Sequence, residues 1–181
     1  MKEILPVVNE DDEVIGEKER SLVHRDGDLH RVSHVWVYNS LGQILCQKRS
    51  DKVEIRPGAW DFPVGGHVTS GASYEETALA ELSEELGIKT GQKLEYLFKT
   101  RADIFQGSIK CVKFVNSFAV NYEGTEEELT PDSSVAEVRW FTLDELDAIR
   151  RGEDTCFEFF GFLTFEKGAR IIRELMKKRQ A

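Results

Sequence analysis

The sequence predicts an α/β domain in which a mixed sheet packs against a few helices. Short apolar runs of strand character are more numerous than helical segments, and the two do not alternate strictly as a doubly wound fold requires. No stretch rich in Pro, Gly or Ser divides the 181 residues. We therefore expect residues 1–181 to form a single domain.

The first part of the chain is expected to form two hairpins. Turn residues at Asn9–Asp12 and Asn39–Gly42 separate pairs of apolar runs. The predicted strands are Ile4–Val8, Glu13–Arg20, Arg31–Tyr38 and Gln43–Lys48. The first hairpin belongs to an N-terminal extension over residues 1–30.

A glycine- and proline-rich segment, Arg56–Gly66, cannot be helical and is followed by a well-marked helix. The helix is predicted over Tyr74–Leu86. Ser73 is its N-cap, Glu76 completes a capping box, and Gly87 supplies the left-handed stop.

The C-terminal half predicts further strands and two helices. The strands are Leu94–Phe105, Cys111–Tyr122 and Val135–Phe141, and the helices are Leu143–Arg150 and Phe165–Arg179. Thr142 and Thr164 are the candidate N-caps. The acidic segment Gly124–Ser134 is expected to be an exposed loop.

Composition excludes several classes of partner. The formal net charge of −9 should repel a nucleic acid polymer. No apolar run is long enough to span a membrane, and the first residues do not resemble a signal peptide. Three scattered cysteines favour reduced, packed thiols, so we expect a cytoplasmic protein.

The chemistry is expected in Gly65–Ile88. Glu81, Glu84 and Glu85 fall on one helical arc of roughly 100°. The neighbouring arc is apolar and should face the core; it comprises Ala78, Leu79, Leu82 and Leu86. Carboxylates crowded beside a buried face repel one another unless a cation joins them, and oxygen ligands suit Mg²⁺, with Mn²⁺ as a second choice.

The glycine pair before this helix supports the same prediction. Gly65 and Gly66 let the backbone approach a ligand, and the Gly65 carbonyl could face a metal. Glutamates at helical spacing are more often a solvated face. However, the glycine pair, the capped helix and the clustered glutamates occur together, which favours function.

This segment resembles the Nudix box, which would occupy residues 65–88. The matching positions are Gly66, Glu81, Leu82, Glu84, Glu85, Gly87 and Ile88. Ala72 and Ala80 stand where the family has a glutamate and an arginine. The resemblance implies an α/β/α sandwich with the N-terminal hairpin as an extension. It also implies metal-dependent hydrolysis of a diphosphate linkage in a nucleoside diphosphate derivative or similar small molecule, with Glu84 or Glu85 assisting the attacking water.

Within that superfamily the chain is similar to the branch related to isopentenyl diphosphate isomerase. The segments that carry this similarity are Asp28–Arg31, His34–Trp36, Gln47–Arg49 and Pro57–Asp61. The branch uses a catalytic cysteine, and Gly65 stands in its place. Val112 and Phe114 stand where metal-binding glutamates would be expected. Isomerase activity is therefore an alternative that we do not favour.

The same branch has a histidine-rich metal site. His67 and His30 match two of its histidines, and His24 matches loosely. From the residues alone, His24 and His30 are expected to hydrogen-bond around the Asp26–Gly27 turn. His67 could contact phosphate or metal.

Four further residues are candidates for the site. Lys48 and Arg49 could bind phosphate or lie at a solvated strand end. Trp60 could stack on a substrate ring or pack under the glycine turn. Glu137 could position water or be a surface charge.

Two alternatives stay open. The alanines at 72 and 80 also fit a non-catalytic nucleotide-binding module. The aromatic residues near the C-terminus could belong to the core or to a homodimer contact; they are Phe157, Phe159, Phe160 and Phe162.

Overall fold

The computed structural model describes residues 2–89, 91, 93–154, 157 and 164–180, without the side chains of 63, 179 and 180. Phe159, Phe160 and Phe162 lie outside the described residues. The strands are β1 (Ile4–Val8), β2 (Val14–Glu19), β3 (His30–Tyr38), β4 (Gln43–Arg49), β5 (Trp60–Asp61), β6 (Pro63–His67), β7 (Glu95–Gln106), β8 (Ile109–Asn121) and β9 (Val135–Thr142). The helices are α1 (Arg20–Asp26), α2 (Tyr74–Leu86), α3 (Leu143–Arg150) and α4 (Phe165–Gln180).

β3 organises the sheet. It pairs antiparallel with β1, β4 and β6 and parallel with β8. β2 extends the sheet beyond β1, β7 extends it beyond β8, and β5 and β9 join β4. The predicted mixed sheet and both predicted N-terminal hairpins are confirmed.

Alternate side chains of β3 face two separate cores. Trp36 and Tyr38 pack in a cluster with apolar residues of α3 and α4. Val35 and Val37 pack with apolar residues of α2 on the opposite face. Because successive strand residues point to opposite faces, one strand supports helices on both sides. The α/β/α sandwich is confirmed.

α2 has the predicted bounds because its ends are specified by local chemistry. The Ser73 hydroxyl accepts a hydrogen bond from the Glu76 backbone N–H at 3.2 Å, and Glu76 accepts one from the Ser73 N–H at 2.8 Å. Gly87 ends the helix at φ 71°. One prediction on this helix was wrong: Leu79 is 38% exposed and does not face the core.

The sequence did not predict α1. It has seven residues, and Glu19 before it makes no side-chain capping bond. Such a short helix lacks the repeated apolar spacing by which helices are recognised. Gly27 ends it at φ 76°, and the helix turns His24 inward. Among the described residues, no helix combines the length and apolar character needed to cross a bilayer.

Asp12 anchors the N-terminal hairpin to the rest of the domain. Its carboxylate accepts hydrogen bonds from Arg31 at 2.7 Å, Lys99 at 2.6 Å and the Tyr74 hydroxyl at 3.0 Å. These partners lie on β3, β7 and α2. Burial alone would raise the pKa of Asp12, but the bonds from Lys99, Arg31 and Tyr74 outweigh it and lower that pKa.

We expect Asp12→Asn to lower the free energy of unfolding by about 1–3 kcal/mol at pH 7, because the part-buried Arg31 and the exposed Lys99 lose their counter-charge. Asparagine tolerates the left-handed backbone at this position (φ 63°), so the change isolates the charge. The stabilisation from a lowered pKa is present above about pH 4 and lost below it. The difference from wild type should therefore shrink in urea unfolding at pH 3.

Asp11→Asn is the matched control, since Asp11 is exposed in the same turn. It should leave stability within about 0.5 kcal/mol of wild type. Equal stability of Asp12→Asn and Asp11→Asn at pH 7 would contradict an anchoring role for Asp12.

Candidate active site

A cavity of about 530 Å³ opens where α2, the strands β3, β4, β6 and β8, and the N-terminal segment meet. Its charged lining residues are Glu3, Arg20, Arg49, Glu54, Asp61, Glu81, Glu85, Asp103 and Lys113. Carboxylates and cations therefore share one enclosed space, as a site for a metal and an anionic ligand requires.

The glycine pair allows close packing on two sides. A Cβ at Gly65 would overlap the backbone carbonyl of Ser33 on β3. A Cβ at Gly66 would overlap the Glu81 carboxylate. β6 therefore lies tightly between β3 and α2, and the Glu81 side chain rests on bare backbone.

Two of the three predicted carboxylates line the cavity. Burial, and then the charges of Glu85 and Glu84, raise the pKa of Glu81 to about 7. Burial also raises the pKa of Glu85, although a hydrogen bond from Gln47 opposes the rise. Glu84 is exposed and is not among the cavity-lining residues.

The donor atoms around these carboxylates fit a hard cation. Gln47 donates from Nε2 to Glu85 at 2.9 Å. The buried Oε1 of Gln47 has no hydrogen-bond partner among the described residues. Burial disfavours the charged form of both carboxylates, and a cation would offset that cost. Together with the Gln47 amide oxygen, they make an oxygen-rich environment suited to Mg²⁺.

Arg49 lines the cavity as predicted, and its Nε donates to the Ile55 carbonyl at 2.8 Å. Arg20, Lys113 and Asp61 were not predicted. Burial raises the pKa of Asp61 to about 7. Lys113 could have been found only from the facing of β8, which alternates into the cavity at Cys111, Lys113 and Val115.

Lys48 and Glu137, two of the candidates for the site, do not line the cavity. They are direct partners across the β4–β9 pair and so share one face of the sheet. Cys46, on the same face as Lys48, belongs to the core under α3 and α4. Gln47 and Arg49 face the cavity instead. Strand alternation therefore places Lys48 and Glu137 away from Glu81 and Glu85.

Trp60, the candidate for stacking on a substrate ring, does not line the cavity either. It is 4% exposed and belongs to the core. Its ring packs edge-on against Phe141 and Phe157, with centroid distances of 5.4 and 5.9 Å. This geometry fits packing in the core, rather than stacking on a substrate, for Trp60. It also fits a core position, rather than a homodimer contact, for Phe157.

The structure gathers three histidines and a cysteine beside the cavity, and two of the four, His67 and Cys111, line it. We call His24, His30, His67 and Cys111 the histidine–cysteine cluster. Their potential ligand atoms all lie within 4.8 Å of one another. His24 Nε2 is 3.1 Å from His67 Nε2, and His30 Nε2 is 3.6 Å from Cys111 Sγ.

The sequence-based positions on β8 were one residue out of register. Cys111 and Lys113 face the cavity, whereas Val112 and Phe114 were expected there. His30 does bond to the nearby turn, through Nδ1 to the Asp28 carbonyl at 3.0 Å. His24 lies in α1 and points at His67.

Burial keeps the histidines of this cluster neutral. Burial lowers the pKa of His30 to about 4 and the pKa of His67 well below its ordinary value, and it also lowers the pKa of His24. Burial raises the pKa of the Cys111 thiol. Cys46 and Cys111 are both buried free thiols, as the sequence indicated.

Comparison with known proteins gives consistent matches. The model of the NUDIX domain matches residues 28–159. An uncharacterized Nudix hydrolase, YfcD of Salmonella typhi, is 31% identical over 153 residues, which cover 81% of this chain and 83% of the relative. Other relatives match only in part: the chain spans 10% of Arabidopsis thaliana Nudix hydrolase 3 and 54% and 52% of two bacterial relatives.

Solved structures agree on the fold. DR0079 of Deinococcus radiodurans superposes with a TM-score of 0.70 at 27% identity, covering 95% of this chain and 98% of that one. The NUDIX domain of Shewanella oneidensis NrtR, solved with ADP ribose, gives a TM-score of 0.55 at 18% identity over 80% of this chain and 87% of that one. The match over residues 28–159 and the long alignment with YfcD show that the chain belongs to the NUDIX domain family, and its curated relatives are named as Nudix hydrolases.

Proposed function

We propose that the chain is a Mg²⁺-dependent hydrolase that cleaves a diphosphate linkage in a nucleoside diphosphate derivative. The observation that carries this proposal is the contact of two carboxylates with the glycine pair: Glu81 lies against Gly66, and Glu85 accepts a backbone hydrogen bond from Gly65. Both line a cavity that also holds cationic side chains. The family and the donor set both favour a hard divalent ion, with Mn²⁺ as the substitute.

Glu81 and Glu85 would hold the ion, with Glu84 at the exposed rim and the Gly65 carbonyl as a further ligand. When bound, the ion neutralises phosphate oxygens and lowers the pKa of water. Glu85, which lines the cavity and is oriented by Gln47, is the better placed of Glu84 and Glu85 to accept the proton of the attacking water.

The cationic side chains serve the substrate. Arg49, Arg20 and Lys113 face the same space as the carboxylates and would bind the diphosphate oxygens. The part of the substrate beyond the diphosphate is set by variable loops. ADP-ribose is a rational first substrate, because the NrtR domain was solved with it.

Two other activities are less well supported. Isomerase activity requires an acid at the position of Gly65, where a side chain would overlap β3. A non-catalytic binding module was suggested by Ala72 and Ala80. Ala80 is exposed, however, so an arginine there would be solvated and its absence leaves the buried carboxylates in place.

We expect Glu85→Gln to lower kcat for ADP-ribose hydrolysis by at least ~100-fold at saturating Mg²⁺, because the variant loses both a ligand of the ion and the proton acceptor. Glu75→Gln, an exposed position on the same helix, should retain wild-type turnover. AMP release with Mg²⁺ is the measurement, and EDTA should abolish it. Full activity in Glu85→Gln or with EDTA would refute the proposal. Tight ADP-ribose binding without turnover in wild type would favour a binding module.

We expect Gly66→Ala to weaken Mg²⁺ binding by about 10–100-fold, because the methyl group displaces the Glu81 carboxylate. Gly16→Ala is the matched control, since a Cβ there meets nothing within 4 Å. Isothermal titration with Mg²⁺ compares the two variants. Identical Mg²⁺ affinities would show that Glu81 does not need the glycine surface.

A further inference from the structure

The histidine–cysteine cluster presents different donor atoms from those of Glu81 and Glu85, which we call the carboxylate wall of the cavity. Imidazole nitrogen and thiolate sulfur are ligands for zinc and related metals, whereas Glu81 and Glu85 offer oxygen for a hard ion. Burial makes the grouping more informative, because neutral polar side chains turned toward one another in the interior need a partner that satisfies them.

The spacing of the four donor atoms fits tetrahedral coordination. Zn–N bonds of about 2.0–2.1 Å and a Zn–S bond of about 2.3 Å imply N···N separations of about 3.4 Å and N···S separations of about 3.6 Å. The His24–His67 nitrogens are 3.1 Å apart, and the His30–Cys111 pair is 3.6 Å apart. Since all donors lie within 4.8 Å, small side-chain rotations would close the remaining pairs.

One of the imidazoles, that of His30, is also oriented by a hydrogen bond to its other ring nitrogen, as ligands to a metal usually are. His30 Nδ1 faces the Asp28 carbonyl at 3.0 Å, which makes it the protonated nitrogen and leaves Nε2 free for a metal. His67 Nδ1 lies 3.9 Å from a Glu3 carboxylate oxygen. Arg20 donates to that carboxylate at 2.9 Å and holds it in place.

We propose that the histidine–cysteine cluster is a tetrahedral zinc site. Its ligands come from α1, β3, the end of β6 and β8, so the metal joins the N-terminal helix to three strands of the sheet. The four protein ligands fill a tetrahedral shell, which is the arrangement of structural zinc sites. His67 directly follows Gly66, and zinc therefore fixes the backbone on which the Glu81 carboxylate rests.

This site does not depend on the proposed hydrolysis, and metal content tests it without an activity assay. We expect protein purified without chelators from zinc-supplemented cells to carry about one zinc per chain by elemental analysis. Cobalt(II) in the same site should give the near-ultraviolet thiolate charge-transfer band and the intense visible bands of tetrahedral cobalt. Zinc should raise the thermal midpoint of the apoprotein by roughly 5–10 °C when it is present at ~100 times its Kd, and Mg²⁺ should not reproduce that shift.

Matched variants locate the metal. Cys111→Ser should lose the thiolate band and most of the zinc. Cys46→Ser, at a second buried free cysteine among the described residues, should keep both. Glu81→Gln should keep its zinc, which separates this site from the carboxylate wall. Zinc far below one per chain, or equal zinc in Cys111→Ser and wild type, would overturn the proposal. If Cys111→Ser does not fold, the wild-type cobalt spectrum decides, and a spectrum without a thiolate band would also overturn it.

Discussion

The absence of side chains at Gly65 and Gly66 is the constraint on which the site depends. Without a Cβ, β6 can lie against the β3 backbone on one side and beneath the Glu81 carboxylate on the other. This contact draws a carboxylate out of water, where its charge becomes costly and its affinity for a cation rises. The carboxylate wall is therefore a product of backbone packing as much as of helical periodicity.

Two kinds of metal-binding donor atom lie next to one another at the end of β6. Gly66 supports Glu81 and its oxygen donors, and the next residue, His67, belongs to the nitrogen and sulfur donors. Hard and soft donors select different ions, so adjacent walls can bind different metals without competing. Arg49 and Lys113 balance the carboxylates from the neighbouring strands.

Features that depend on residues close together in the chain could be predicted from the sequence, whereas features that depend on distant strands could not. α2 was predicted to the residue because Ser73, Glu76 and Gly87 specify its ends locally. Glu81 and Glu85 followed from the same helix, since three- and four-residue spacing fixes a shared face. Lys48 and Glu137 lie away from the cavity, and the positions expected on β8 were one residue out. Strand facing depends on register, and a shift by one residue reverses every side chain. The cluster around Cys111 requires β8 to lie beside β3, which no local pattern specifies.

The parallel pairing of β3 with β8 has a consequence for how the protein acquires its chemistry. His30 lies opposite Lys113, so the two strands meet only after a long intervening segment has been ordered. Closing such a loop costs entropy before the contacts offset it, so we expect this pairing to form late in folding. A nascent chain that has just emerged through Ile88 carries the complete motif but lacks the cavity-lining residues of β7 and β8. We therefore expect catalytic activity only in the complete sheet, and not in a fragment that ends before β8.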